Sequence, residues 1–110
     1  MKDKLKAAVY GLAIGDALGV PVEFKKRGTF HVDDMMGYGT HQQPAGTWSD
    51  DTSMTLATGD SIRECGTVDC EDMLENFRKW LFNAAYTVDN KVFDAGGTTV
   101  SAFANGKRYG

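Results

Sequence analysis

Residues 46–52 read Gly-Thr-Trp-Ser-Asp-Asp-Thr and place two adjacent carboxylates between hydroxyl side chains, directly before a pattern with helical spacing. Ser49 is a residue type that begins helices, so we predict a helix from Asp50 to about Arg63, with Gly66 beyond its end. The apolar face of this helix is imperfect and consists of Met54, Ala57 and Ile62. Oxygen atoms therefore crowd the start of a predicted helix.

This oxygen-rich helix start has two interpretations. Magnesium takes carboxylate, hydroxyl and water oxygens in near-octahedral geometry, with one or two carboxylates for each ion. Acidic and hydroxyl residues are also favoured at helix N-termini in general, because they cap free N–H groups and suit the helix dipole. Composition alone favours capping over metal binding at Ser49, Asp50 and Asp51.

Upstream of this segment, residues 3–18 predict a helix rich in small residues. Its apolar positions with helical spacing are Leu5, Ala8, Val9 and Leu12. Small residues recur every four positions on a neighbouring row, at Ala7, Gly11, Gly15 and Gly19. Because glycine costs about 1 kcal/mol against alanine inside a helix, we expect another backbone to pack very close to this row.

Between these helices the sequence predicts extended and irregular structure. Val20, Val22 and Phe24 alternate with other residues around Pro21, which predicts a short extended segment. The same alternation points Glu23 away from the apolar face, so taken alone it is a surface acid. Residues 37–46 show no periodicity and predict a loop.

Downstream of residue 66 the pattern predicts two further helices. Asp69 is a plausible cap for the first of them, which carries an i,i+4 pair of Glu75 and Lys79 on its polar face. Its apolar stripe consists of Met73, Leu74, Phe77, Trp80 and Leu81. The second follows residues 93–99 and carries Val100, Phe103 and Ala104. With no pattern of several β-strands, the predicted class is all-α.

Length and charge limit the classes of function. The chain has 110 residues, of which 42% are hydrophobic, and this suits one compact domain. A formal charge of −3 argues against a nucleic-acid partner. Asp16 and the glycines interrupt the apolar N-terminal stretch, so we expect neither a signal peptide nor a membrane span. Cys65 and Cys70 specify neither a zinc site nor a disulfide framework, and two free thiols predict a cytoplasmic protein.

Two further segments carry groups that matter chemically. Asp16 lies within an apolar, small-residue helix, and a buried carboxylate must be paired or close to a cation, although a solvent-facing or capping Asp16 is the simpler interpretation. The segment Gly96-Gly97-Thr98-Thr99 opens a predicted helix, where free N–H groups and the dipole favour a phosphate. A Gly-Gly pair before a helix is also an ordinary turn.

Three sets of residues, in this order, resemble the ADP-ribosylglycohydrolase family, which includes the dinitrogenase reductase-activating glycohydrolases. The first set is Gly15-Asp16-Ala17-Leu18-Gly19 with Glu23. The second is Trp48-Ser49-Asp50-Asp51-Thr52-Ser53-Met54, and the third is Phe93-Asp94 with Gly96, Thr98 and Thr99. The resemblance runs from about residue 4 to the C-terminus, and it reverses the preference for capping at Asp50 and Asp51.

The resemblance implies an all-α, orthogonal multi-helical fold that houses a two-magnesium centre, with manganese as an alternative metal. Ser49, Asp50 and Asp51 match the family's first group of metal ligands, and Asp16 matches an acid that orients a ligand or a metal-bound water. Glu23 and Asp51 are the candidates for the acid that handles the proton. The family contacts the phosphates of ADP-ribose at the positions of Gly96, Gly97 and Thr98.

The implied reaction is cleavage of the glycosidic bond between ADP-ribose and a protein side chain, through an oxocarbenium-like transition state. The substrate would be an ADP-ribosylated protein or a small molecule like ADP-ribose. Which linkage is cleaved stays open, because arginine, serine, a small metabolite or a nucleotide could carry it.

The length of the chain departs from the family pattern. Members are roughly twice as long or more and supply a second acidic Asp-x-Asp-Thr group near the C-terminus, so residues 1–110 correspond to the N-terminal portion of the domain. We expect this portion alone to be inactive. We also expect it to form a homo-oligomer or to take up a complementing C-terminal half. A non-catalytic protein that binds ADP-ribose or metal, or a structural one resembling some lens crystallins, is the alternative.

Overall fold

The computed structural model describes residues 2–104 and is helical, as the sequence predicts. In chain order its helices are α1 (Lys2–Gly19), α2 (Asp50–Cys65), α3 (Cys70–Asn83) and α4 (Gly97–Ala104). Two short 3₁₀ turns, Val20–Val22 and Gly39–His41, lie between α1 and α2. No strand forms among residues 2–104, where the β-type pairing is an isolated bridge between Tyr38 and Gln43. The all-α class is therefore confirmed.

The core lies where α2 packs between the end of α1 and helix α3. Ala57 of α2 and Trp80 of α3 are almost fully buried, at 0% and 1% exposure. The Asn76 side chain donates from Nδ2 to the Ala57 carbonyl at 3.1 Å, which satisfies a polar group inside the contact between α2 and α3. Phe103 of α4 stacks on Phe77 with ring centroids 5.2 Å apart. The apolar stripe predicted for α3 is therefore the face that it buries.

The helix ends follow the sequence in most details. Gly66 adopts φ 71° after α2, and its N–H donates to the Ile62 carbonyl. The Asp69 side chain accepts from the Asp72 N–H at 3.1 Å, which confirms Asp69 as the cap of α3. The predicted pair of Glu75 and Lys79 on α3 is wrong. Glu75 instead lies 3.9 Å from Arg78. Such an exposed pair contributes little in either register.

The segment after α1 is a 3₁₀ turn and not the predicted extended strand. Val20, Pro21 and Val22 are all buried, whereas Phe24 is 81% exposed with φ 65°. Proline fixes φ near −65°, which suits the first position of a helical turn as well as a strand, and burial of both valines then favours the turn. The alternation of apolar residues was misleading here.

Helix α1 presents an open surface along much of its length. Leu5 is 65% exposed and Ile14 is 51% exposed. The glycine row was predicted to receive another backbone, but a Cβ added at Gly11, Gly15 or Gly19 meets nothing within 4 Å among the described residues. That prediction is wrong for residues 2–104. The small residues instead leave this side of α1 bare.

The segment Lys2–Val22 is also the one described stretch whose length and hydropathy would allow a membrane span, with a mean hydropathy of 1.3 in its apolar window. This property rests on length and composition only, and core helices of soluble proteins and signal sequences share it. The expected absence of a membrane partner therefore stays a prediction.

Candidate functional site

The carboxylate of Asp16 ties α1 to the start of α2. Its Oδ2 accepts from the N–H groups of Ser49 and Thr52, at 2.9 and 3.2 Å. The hydroxyls of the same two residues donate to Oδ1 and Oδ2, at 2.6 and 2.7 Å respectively. Ser49 is 6% exposed and Thr52 is 1% exposed, so these four bonds satisfy donors that water barely reaches.

The side chain that caps the start of α2 is therefore Asp16 and not Ser49. The Ser49 side chain makes no capping bond of its own within α2, although Ser49 occupies the position before its first residue. A carboxylate from another helix satisfies the free N–H groups and adds a negative charge to the positive end of the helix dipole. The predicted role of Ser49 as a side-chain cap is wrong for this reason.

Asp16 thus satisfies the N–H groups of Ser49 and Thr52 without help from Asp50 or Asp51. The Asp50 Oδ1 accepts from the adjacent Asp51 N–H at 3.0 Å, and among residues 2–104 no lysine or arginine lies within 4.0 Å of either carboxylate. Asp51 is exposed as a whole, yet partial desolvation of its carboxyl, followed by the charges of Asp50 and Asp16, raises its pKa above the usual value. Three acids without a cationic side chain form an environment that suits a hard divalent cation.

Glu23 is placed by a close approach of two loops. Gly39 has φ 57°, and a Cβ there would lie 2.0 Å from the Pro21 carbonyl oxygen. Only glycine therefore allows residues 39–41 to fold onto the turn after α1. Next to this contact the Thr40 hydroxyl donates to the Glu23 carbonyl oxygen at 2.6 Å. The contact brings the side chain of His41 to that of Glu23.

His41 lies between two carboxylates that come from distant parts of the chain. Its Nε2 is 2.8 Å from Glu23 Oε2 and 3.4 Å from Asp94 Oδ2. The imidazole is 11% exposed and contacts the rings of Phe24 and Phe93, with centroids at 5.9 and 5.3 Å. Glu23 is therefore half-buried and directed into this cluster, and the inference that it is an ordinary surface acid is wrong.

The loop that carries Asp94 is held against α2 by Tyr86. The Tyr86 carbonyl oxygen accepts from Trp48 Nε1 at 3.1 Å and from the Ser53 hydroxyl at 2.9 Å. Its phenol donates to Asp60 Oδ2 at 2.6 Å. Burial and this carboxylate together raise the pKa of Tyr86 to about 12. The start of α2 and the loop from residue 84 to residue 96 thus form one hydrogen-bonded unit.

The predicted phosphate segment lies at the start of α4. Gly96, Gly97 and Thr98 are all exposed, and α4 begins at Gly97. The Gly96 carbonyl accepts the first intrahelical bond, from the Val100 N–H at 3.0 Å. The N–H groups of the first helical turn have no intrahelical acceptor by geometry, so this end can offer donors to an anion.

The structure brings the predicted residues together in two groups. Asp16, Ser49, Asp50 and Asp51 form one, while Glu23 lies in the other with His41 and Asp94. Sequence reasoning missed His41 altogether and placed Asp94 only inside a motif. In the sequence, Glu23 and Asp94 each stand next to a phenylalanine, in Glu23-Phe24 and Phe93-Asp94. Only the fold shows that His41 lies between these two pairs.

Comparisons with known proteins identify the family of this chain. The sequence profile of ADP-ribosylglycohydrolases matches residues 1–109. This chain belongs to the ADP-ribosylglycohydrolase family. The ADP-ribosylarginine hydrolase Tri1 of Serratia proteamaculans is 38% identical over 108 residues, which are 98% of this chain and 30% of that protein.

Two other relatives extend the comparison. The Tri1 hydrolase of Pseudomonas putida is 38% identical over 98% of this chain and 29% of its own length. The ADP-ribosyl-[dinitrogen reductase] glycohydrolase of Rhodospirillum rubrum is 34% identical over 94% of this chain and 39% of its own length. The chain thus spans between 29% and 39% of the length of these three relatives.

Proposed function

We propose that this chain carries the magnesium-binding and ADP-ribose-binding part of a hydrolase that cleaves the glycosidic bond between ADP-ribose and a modified protein side chain. The observation that carries the proposal is the Asp16 contact to Ser49 and Thr52, because it satisfies the donors of both residues. Among residues 2–104 the Asp51 carboxylate then accepts no hydrogen bond and is available to a cation. The names of the relatives, which describe hydrolysis of ADP-ribosyl groups, support the substrate class.

In this proposal Ser49, Asp50 and Asp51 hold magnesium, for which manganese can substitute. The Ser49 hydroxyl donates its proton to Asp16, so its lone pairs are oriented away from that carboxylate and are available to a cation. Asp16 acts on the metal only through this orientation of Ser49. The bound ion would supply positive charge that positions the ribose hydroxyls and stabilises the transition state.

We assign the proton transfer and the phosphate contacts to groups of the chain itself. Cleavage through an oxocarbenium-like transition state requires a group that gives a proton to the leaving atom or takes one from the water that attacks the anomeric carbon. Glu23 and Asp51 are the candidates. Desolvation, followed by the charges of Asp50 and Asp16, raises the pKa of Asp51 and so favours its protonated form relative to an unperturbed aspartate. Gly96, Gly97 and Thr98 would donate N–H groups to the phosphates of ADP-ribose.

A binding role without turnover is the second candidate for the chain by itself. It is favoured by the exposed start of α4, whose free N–H groups can hold a phosphate without any catalytic group. We propose that a second copy or a complementing C-terminal half completes the catalytic centre, and that the protein works in the cytoplasm. An ADP-ribosylated protein is the proposed substrate.

Calorimetric titration of ADP-ribose tests the proposal directly. We expect binding in magnesium buffer that weakens when EDTA replaces the metal, and that weakens equally in the Asp50→Ala, Asp51→Ala double variant. ADP serves as the control ligand, because it has both phosphates and lacks the second ribose. Absence of ADP-ribose binding in magnesium would contradict the proposal. Binding without release of ADP-ribose from a modified arginine substrate would favour the binding role.

A further inference from the structure

The cluster of Glu23, His41 and Asp94 contains none of the residues proposed to hold magnesium. One nitrogen and two carboxylate oxygens, one from each side chain, all lie within 4.8 Å of one another. We propose that this cluster is a site for a transition-metal cation, with Zn²⁺ as its occupant. The inference goes beyond the proposed hydrolase: with zinc bound, Glu23 is a metal ligand, and Asp51 is the candidate left to handle the proton.

The cluster has a net negative charge that a bound cation would balance. Two carboxylates face one imidazole, and no lysine or arginine within the described residues lies within 4.0 Å of Glu23 or Asp94. Even with His41 protonated the group carries a net negative charge, and with His41 neutral it carries two. A divalent ion at the centre balances that charge where a single imidazolium does not.

The geometry suits a small ion with three protein ligands. Zinc bonds to histidine nitrogen and carboxylate oxygen at about 2.0–2.2 Å, so tetrahedral ligand atoms lie about 3.3–3.6 Å apart. His41 Nε2 is 3.4 Å from Asp94 Oδ2 and 2.8 Å from Glu23 Oε2. Small side-chain shifts complete the ligand set. Glu23 and Asp94 are 35% and 40% exposed, which leaves a path for the ion and room for water at the fourth position.

The type of ligand selects the metal. A nitrogen ligand favours zinc and other first-row transition ions, whereas magnesium prefers oxygen ligands and water. Contacts with Phe24 and Phe93 also orient the His41 ring, which is 11% exposed. Zinc at Nε2 requires the neutral tautomer of His41 that carries its hydrogen at Nδ1, so binding releases any proton that Nε2 holds, to Nδ1 or to solvent.

The test is zinc binding by the full chain, measured by competition with a chromophoric chelator. Cys65 and Cys70 are exposed free thiols, and thiolates are zinc ligands in general, so every measurement uses the Cys65→Ser, Cys70→Ser background. We expect one zinc ion per chain, not displaced by a large excess of magnesium and retained in the Asp50→Ala, Asp51→Ala variant. Retention there separates this site from the proposed magnesium site.

The two histidines of the chain provide a matched pair of variants. His41→Ala should weaken zinc binding by at least about tenfold, in line with the loss caused by disturbing a metal's ligand set. His31→Ala should leave it unchanged, because the His31 side chain is 86% exposed and outside the cluster. Glu23→Gln should weaken binding like His41→Ala, and circular dichroism must show native helix content in all three. Absence of zinc binding in the thiol-free chain, or unchanged binding in a folded His41→Ala chain, would overturn the proposal.

Discussion

At the scale of single residues, Asp16 is the group on which the candidate site depends. It accepts four hydrogen bonds from Ser49 and Thr52, and both partners are buried. Asp16→Ala would leave those donors without acceptors, and we expect a loss of about 2–4 kcal/mol in the free energy of unfolding. Urea denaturation followed by circular dichroism measures it. Asp33→Ala, at an exposed acid, is the control and should change stability by no more than about 0.5 kcal/mol.

A second prediction at this scale concerns alkaline pH. The pKa of Tyr86 is raised to about 12, first by burial and then by its bond to Asp60. A raised folded-state pKa contributes stability that is fully present below the unfolded-state value of 10.0 and is lost as pH rises toward about 12. Ultraviolet titration of phenolate should therefore show a late step in the wild type that Tyr86→Phe abolishes. The prediction would be contradicted if the tyrosine that the Tyr86→Phe variant lacks titrated at an ordinary pH in the wild type.

At the scale of elements, the sequence predicted the helices well because their signals are local. The apolar stripe of α3, the Asp69 cap and the Gly66 end of α2 all depend on residues within a few positions of one another. The errors concern contacts between distant segments. The sequence allowed a capping role for Asp16 but did not identify the helix that it caps, which starts 34 residues later. It also did not place His41 between Glu23 and Asp94, because no local pattern contains either contact.

Two glycines should respond in opposite ways to alanine, and this tests the loop contact that places Glu23. Gly39→Ala would put a Cβ 2.0 Å from the Pro21 carbonyl oxygen, so we expect destabilisation and separation of His41 from Glu23. Gly59→Ala lies within α2, meets nothing within 4 Å and should stabilise by up to about 1 kcal/mol. Thermal unfolding of both variants measures the difference. A stable Gly39→Ala protein would show that the close approach is not needed.

At the scale of the whole molecule, an apolar groove of about 540 Å³ runs along α1 and α2, lined by side chains that include Leu5, Val9 and Leu56. Exposed apolar surface of this kind favours association. We expect a dimer or larger oligomer by light scattering at micromolar concentration, shifted toward monomer by Leu5→Lys. Val68→Lys is the matched control, because Val68 is equally exposed at 65% and is not among the lining side chains. A wild-type monomer would contradict the expectation.

The central claim is that the start of α2 holds magnesium rather than merely beginning a helix. Isothermal titration of Mg²⁺ into the wild type and into the Asp50→Ala, Asp51→Ala variant tests it most directly. The Asp33→Ala, Asp34→Ala variant is the matched control, since it also removes two consecutive acids, both of them exposed. Like Asp50, Asp34 accepts a hydrogen bond from the N–H of the next residue, at 2.8 Å. We expect binding by the wild type and the control and none by the Asp50, Asp51 variant. Equal binding by all three proteins, or no binding by any, would contradict the account.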